Sequence, residues 1–518
     1  MREKKLIIWF VLSALLFAIV GAFARTMTLL NHNEHMYTCA GILIAQGQSL
    51  YSDFAYLQTP YLPLFYGSLF KIFGIESWYL LSAKLVSFFF ICIALISLLL
   101  IARRVLRDSV CSLCVVVLFV LNATIINAAA EVSNYIMPAA CVMLAFHVFV
   151  VSCQNSIRVS GIAIAGFLLA IAVGTKLTCA PLIIPFFVVI LVCPLEKNAS
   201  TLHAARRVFY VFLPFVAGLV LGALPMLLFV VTDPESFFFN NLGYHFVNTK
   251  WRLDTGYEGP MSLYSKLGYA CELLFKLDNL LVLLGCITGL GMLINYRVRH
   301  ACYGFKKLPI GFWLALLLVL VAFPVAIAPT PSFFQYYVMP VSCLFIVFVY
   351  AIACCTSKNP LRLRGLLVLL VLVTLAANGP ALVTSMSNLA NEKRCAVRRV
   401  HTVSADIQNS LRLKKPGVTG RIATLSPLFV VEANLPIYEE LSTGPFLYRI
   451  GDLLSLEDRK RFVGTSPKTI HDLFNKEEPL AVFVGYERGL DSALLDYALK
   501  NNYSAVDVRG RGTLYICP

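Results

Sequence analysis

The chain has 518 residues, of which 59% are hydrophobic and only 14% charged, with a mean hydropathy of +0.77. A soluble protein carries about a quarter charged residues, so this composition excludes a soluble globular protein and describes a polytopic membrane protein. The formal net charge of +15 follows from membrane topology, since basic residues collect in cytoplasmic loops, and no nucleic-acid partner is expected.

Apolar runs of about 17–25 residues predict membrane helices. They fall near 6–24, 79–102, 110–128, 135–152, 159–175, 177–193, 208–231, 278–295, 309–328, 337–354 and 365–386, about eleven in all. The first follows a basic start and contains Ala22-Phe23-Ala24, like a cleavable signal. Its apolar run Leu6–Phe23 is longer than the roughly 7–15 residues of a signal core, so it reads as an uncleaved span. Alternate connections carry the basic residues: Arg2, Lys4 and Lys5; Arg103, Arg104 and Arg107; Arg158; Lys197, Arg206 and Arg207; Arg297, Arg299, Lys306 and Lys307; Lys358, Arg362 and Arg364. That side is expected to be cytoplasmic. The loops 25–78, 129–134, 232–277 and 329–336, the turn at Lys176 and everything after 386 then lie outside.

The first outer loop is the most polar part of the membrane region. It reads Asn31-His32-Asn33-Glu34-His35-Met36-Tyr37, then Tyr51-Ser52-Asp53-Phe54, then Gln58-Thr59-Pro60-Tyr61. Glu34 is a candidate base for a reacting hydroxyl. Asp53 reads either as a residue that orients the loop or a substrate, or as a turn cap. The next outer loop holds Glu131 and Asn134, and the turn after the fifth predicted span holds Lys176. A charge at that depth needs a partner, water or an anionic ligand, or else snorkels. Loop 232–277 is rich in aromatic residues and also carries His245, Lys250, Arg252 and Asp254. It reads as an interfacial belt or as a lid over a site. Pro329-Thr330-Pro331 leads into Gln335-Tyr336-Tyr337 and Pro340 at the last outer turn.

Most of the 16 cysteines sit in apolar runs as small fillers. Cys395 and Cys517 bracket the tail, where an oxidising exterior would permit a bridge. From about 387 the sequence becomes an ordinary mixed one, so the chain divides into a membrane domain, 1–386, and a tail domain, 387–518. Within the tail, Arg421–Leu425 and Ala481–Val484 read as buried strands. Asp491–Lys500 reads as a helix with Leu494, Leu495, Ala498 and Leu499 inward, and Ala505–Val508 with Thr513–Ile516 as a closing hairpin.

The first outer loop resembles that of GT-C type membrane glycosyltransferases, which take sugars from polyprenyl-phosphate carriers. The resemblance is to the broad group of protein O-mannosyltransferases and aminoarabinose transferases. It extends over about 20–380, with its specific residues in 31–66. It implies an acidic pair in which Asn33 stands at the first acid and Glu34 at the second. His35 and Gln58 would lie with them at the substrate, and the Tyr-x-Asp-Phe element supplies Asp53. Glu131 would stand in for the acid missing at Asn33, with Asn134 beside it. Thr175-Lys176 matches a turn that faces the carrier phosphate, and Tyr336 or Tyr337 would approach the same phosphate. His245 and Arg252 complete the expected substrate contacts. The fold implied is an α-helical polytopic membrane protein with a small C-terminal extracytoplasmic α/β domain. The implied partners are a polyprenyl-phosphate sugar, the lipid bilayer and a glycan, lipid or protein acceptor, in the cell inner (plasma) membrane. No grouped metal ligands and no nucleotide-binding motif are present, and a divalent metal stays open. The competing readings are a polysaccharide polymerase or ligase using a diphosphate-linked glycan, a transporter, and a non-catalytic relative.

Overall fold

The computed structural model describes residues 2–153, 157–192, 208–299, 308–356, 360–487 and 489–518. Of the basic residues assigned to the cytoplasmic side, Lys197, Arg206, Arg207, Lys306, Lys307 and Lys358 lie outside the described residues. Among the described residues, seven helices are long and apolar enough to cross a membrane, or eight if the bent pair Ser109–Leu121 and Ala123–Ala129 is one span. Three shorter apolar helices, Ile136–Ser152, Val159–Thr175 and Leu177–Val192, occupy the other expected segments.

The expected span at 110–128 is broken rather than straight, with a bend of 58°. The cause is Asn122, whose extended backbone ends one helix while its side chain accepts from Ile125 N at 3.1 Å and caps the next. The Asn122 amide also donates to Asn279 Oδ1 at 2.8 Å, so its polar atoms are paired inside the bundle.

The first outer loop folds into two helices, α1 (Asn33–Ala45) and α2 (Tyr61–Ile72). They pack very closely. A Cβ at Gly41 would lie 2.6 Å from Tyr66 Cβ, and one at Gly67 would lie 2.5 Å from Ile44 Cγ2. Glycine at both positions is what allows this approach.

Loop 232–277 is also helical, with α3 (Tyr244–Asp254) followed by α4 (Leu263–Leu274). Tyr244, Asn248 and Arg252 recur every four residues along α3 and are buried, while Phe246, Lys250, Leu253 and Asp254 are exposed. One polar stripe of this helix therefore faces into the protein.

The tail carries a four-stranded sheet of order β1-β2-β4-β3, with β1 (Ile422–Thr424), β2 (Ala481–Val484), β3 (Ser504–Asp507) and β4 (Thr513–Ile516). β1 pairs parallel to β2 with Ile422 opposite Ala481, and β4 runs antiparallel to β2 and β3. Every β2 residue is buried, as expected of an apolar strand covered on both faces. In α6 (Ser492–Lys500) the buried residues are Leu494, Tyr497 and Ala498, whereas Leu499 is exposed. The inward stripe thus runs through Tyr497 rather than Leu499, because Tyr497 packs on Phe474 and Tyr503. The bridge that an oxidising exterior would permit is not formed. Cys395 and Cys517 are both free, and the buried Cys395 thiol donates to the Met27 carbonyl at 3.6 Å.

The tail sits directly on the outer loops. Glu432 accepts from Leu80 N at 3.1 Å, Tyr79 donates to Asn434 Oδ1 at 2.9 Å, and Phe462 stacks on Phe239 at 3.8 Å. A short helix of the tail, α5 (Pro445–Ile450), rests against α3.

Candidate active site

A cavity of about 430 Å³ opens where the first outer loop, α3, the 329–336 turn and the tail meet. Of the expected site residues, Asn33, Gln58, His245, Arg252 and Tyr336 line it. His32, Arg449 and Glu487 line it as well.

Its positive side is built by α3 and α5. The Arg449 guanidinium donates to Asn248 Oδ1 at 2.8 Å and to the Tyr244 hydroxyl at 3.2 Å. Arg252 is 9% exposed, and its Nε has no hydrogen-bond partner among the described residues. Its guanidinium lies 4.2 Å from the Tyr257 ring centre. Burial, and then the like charge of Arg449, lower the proton affinity of Arg252. Neither arginine has a carboxylate partner among the described residues. The buried Arg252 and the half-buried Arg449 make a site for an anion, since an anion relieves the burial of one and the repulsion between the two.

Lys176 stands next to this cavity, at the polar end of a narrow apolar slot. Pro138, Leu182, Ala322 and Met339 line the slot, and Tyr135, Gln335 and Tyr336 are shared with the cavity. The Lys176 ammonium lies 3.4 Å from the Tyr135 ring centre and 4.9 Å from that of Tyr336. It has ring faces and no ion pair among the described residues. Desolvation in these apolar surroundings pushes it down to about 7.

The carboxylates expected to do the chemistry are placed differently. Glu34 is fully buried in an ion pair with Lys84, itself fully buried. It also accepts from Val132 N at 2.6 Å and Asn31 N at 3.1 Å. Lys84 spends its remaining protons on the carbonyls of Leu29 at 2.8 Å and Ala130 at 2.7 Å. Glu34 is therefore the anchor that ties the first outer loop to the 129–134 loop, and it does not open into the cavity. Glu131 lies behind the cavity wall, where Oε1 accepts from Asn31 Nδ2 at 2.6 Å and Oε2 is buried without a partner among the described residues. Burial and then the charge of Glu34 push its carboxyl up to about 7. Asp53 is exposed, away from the cavity, and caps its own turn by accepting from Ser49 N at 2.7 Å.

Three further expected contacts, His35, Asn134 and Tyr337, do not line the cavity. The buried His35 lies between Phe429 and Tyr486, with ring centres at 5.3 and 5.1 Å, and burial pushes it down to about 3. Asn134 donates to Gln58 Oε1 at 2.9 Å and holds that side chain from behind. Tyr337 is buried with its hydroxyl 3.2 Å from Ser332 Oγ, so Tyr336 alone of the pair reaches the cavity.

Lys84 gave a signal that could have been read: one lysine inside an apolar span marks a buried partner. Arg449 and Glu487 had no local signal, because they come from the tail. Among the described residues no three His, Cys, Asp or Glu side chains group as ligands for a metal ion.

This architecture is a polytopic membrane fold of the GT-C type, with its polar cavity where the helix ends meet the tail domain. Two solved structures of ArnT from Cupriavidus metallidurans align with it, one bound to undecaprenyl phosphate and one in the apo state. Each covers 99% of this chain and 98% of that chain at 14% identity, with TM-scores of 0.57 and 0.58. The archaeal oligosaccharyltransferase AglB from Archaeoglobus fulgidus, in complex with an inhibitory peptide and a dolichol-phosphate, aligns over 98% of this chain and 73% of its own. That alignment has 13% identity and a TM-score of 0.49. No protein-family model and no curated protein matches the chain.

Proposed function

We propose that this protein is an integral-membrane glycosyltransferase that moves a sugar from a polyprenyl-phosphate carrier to an acceptor hydroxyl. The observation that carries this reading is the placement of three cations that have no carboxylate partner among the described residues. Arg252 and Arg449 face a polar cavity, and Lys176 stands where an apolar slot meets it. A lipid phosphate needs this combination: an apolar path for the chain and desolvated cations for the headgroup. ArnT, whose fold this chain shares, was solved bound to undecaprenyl phosphate, which supports the same donor class here.

In this reading the phosphate lies among Lys176, Arg252 and Arg449, and the sugar projects toward Asn33, Gln58 and His245. The cations stabilise the negative charge that grows on the departing phosphate. Tyr336 separates the slot from the cavity and would lie beside the headgroup. The acceptor, a glycan, lipid or protein hydroxyl, enters from the aqueous side. The N-terminus is cytoplasmic, the tail extracytoplasmic, and the membrane the inner (plasma) membrane. The basic residues of the alternate loops support this orientation.

Purified protein incubated with labelled polyprenyl-phosphate sugars tests the proposal. Release of polyprenyl phosphate with transfer to a hydroxyl acceptor is expected. Failure to bind any polyprenyl-phosphate species would overturn it.

A further inference from the structure

The reaction proposed above needs a group to take the proton from the acceptor hydroxyl, and Glu34, Glu131 and Asp53 do not line the cavity. Among the described residues, the carboxylate that does line it is Glu487, in the turn after β2 of the tail. Glu487 is 8% exposed and lies 2.5 Å from His32 Nδ1. The His32 side chain is 57% exposed, and its ring leans on Tyr486 with centres 5.7 Å apart. A carboxylate only accepts hydrogen bonds, so it places a proton on Nδ1. That leaves Nε2 as the free lone pair of the neutral imidazole.

On this geometry we propose that His32 is the general base of the transfer and that Glu487 is its positioning residue, supplied by the tail domain. The proposal rests on the glycosyltransferase reading. In the step, the acceptor oxygen forms a bond to the anomeric carbon as the bond from that carbon to the phosphate oxygen breaks. The bonding pair leaves with the polyprenyl phosphate, and the hydroxyl proton passes to His32 Nε2. Glu487 then faces an imidazolium, which it stabilises without becoming protonated. This is the division of labour by which a carboxylate orients a histidine in other nucleophilic sites. Phosphate departs without a general acid, so one base suffices.

The surroundings of His32 allow this role. Glu487 raises its proton affinity, chiefly through the hydrogen bond, and Arg449 on α5 opposes it. His35, in the first turn of the helix that follows His32, is buried and neutral, and Tyr486 offers a ring. The tail is thereby part of the site, because it brings both the carboxylate and Arg449.

The test compares wild type, His32→Gln, Glu487→Gln and Glu487→Asp in full-length protein, with polyprenyl-phosphate sugar as donor. His32→Gln should lower kcat about 10²–10⁴-fold while donor KM stays within a few-fold. Glu487→Gln should move the acid limb of the kcat/KM profile to lower pH, because the group that raises the His32 pKa is gone. Glu487→Asp should restore part of the rate. A folded His32→Gln protein with near wild-type kcat, or a Glu487→Gln profile that does not move, overturns the proposal while leaving the glycosyltransferase reading intact. A wild type that transfers from no polyprenyl-phosphate sugar takes both down.

Discussion

Lys84→Met is the sharpest test of how the first outer loop is held. In the native protein all three Lys84 protons are used, on Glu34 and on the carbonyls of Leu29 and Ala130. Glu34 in turn accepts from Lys84, Val132 N and Asn31 N. Both side chains are 0% exposed, so nothing from water can replace the missing ammonium. Methionine fills most of the lysine stem's volume and removes only the charge and its donors. Breaking a buried ion pair from one side costs about 3–5 kcal/mol, mostly as the burial of the charge left behind. Adding Glu34→Gln should then restore stability, because a neutral amide still accepts from Val132 N and no longer carries a stranded charge. The coupling between the two changes should be on the order of 0.5–3 kcal/mol. The assay is denaturant or thermal unfolding in detergent, read by a probe on the membrane domain. A Lys84→Met protein as stable as wild type, or a double variant no better than the single one, would refute the reasoning. The same variants bear on chemistry. Folded Glu34→Gln protein should keep a wild-type rate per molecule, and a loss of rate with unchanged stability would return Glu34 to the role of base.

Three other outcomes follow from the site. Arg252→Met should weaken donor binding about 10–150-fold, the equivalent of one charge-assisted contact of about 1.5–3 kcal/mol, and titration with a polyprenyl phosphate measures it. Lys176 is held near pH 7 by its apolar surroundings, so as pH rises through that value its charge is lost and donor affinity should fall. A Lys176→Met variant should bind more weakly at pH 6 and lose this slope, and a wild-type affinity that is flat from pH 6 to 9 counts against the assignment. A cysteine placed at the exposed Ser492 should react with an impermeant thiol reagent in intact cells, and protection until the membrane is broken would reverse the proposed orientation.

The sequence exposes the membrane region because the bilayer sets the length of an apolar run, and each predicted run coincides with a helix or a helix pair. It does not expose the break at Asn122, where an amide caps a helix inside the bundle and finds its partner at Asn279. The tail strands are visible as short apolar runs between turns. The inward stripe of its last helix shifts by two residues, because Tyr497 has rings to pack on and Leu499 has none.

The cations beside the cavity stand out in the sequence more than the acids do, and the difference has a physical basis. A cation in an apolar setting, such as Lys176, or on the polar stripe of a boundary helix, such as Arg252, is costly wherever it sits and so stands out from its neighbours alone. A carboxylate at a loop is cheap in water, and only its partners say whether it is an anchor, a cap or a reagent. Glu34 meets Lys84 from 50 residues away, Asp53 meets its own turn, and Glu487 meets His32 from 455 residues away. Proton transfer asks for a group at the right point in space, wherever in the chain it comes from. In the proposed mechanism the first outer loop therefore obtains its base from His32, once the tail folds over it with Glu487. The packing of His35 between Phe429 and Tyr486 is one of the contacts that hold the tail against the membrane domain, beside those of Glu432, Asn434 and Phe462. In the proposed mechanism these contacts serve the chemistry indirectly, by fixing where Glu487 can reach.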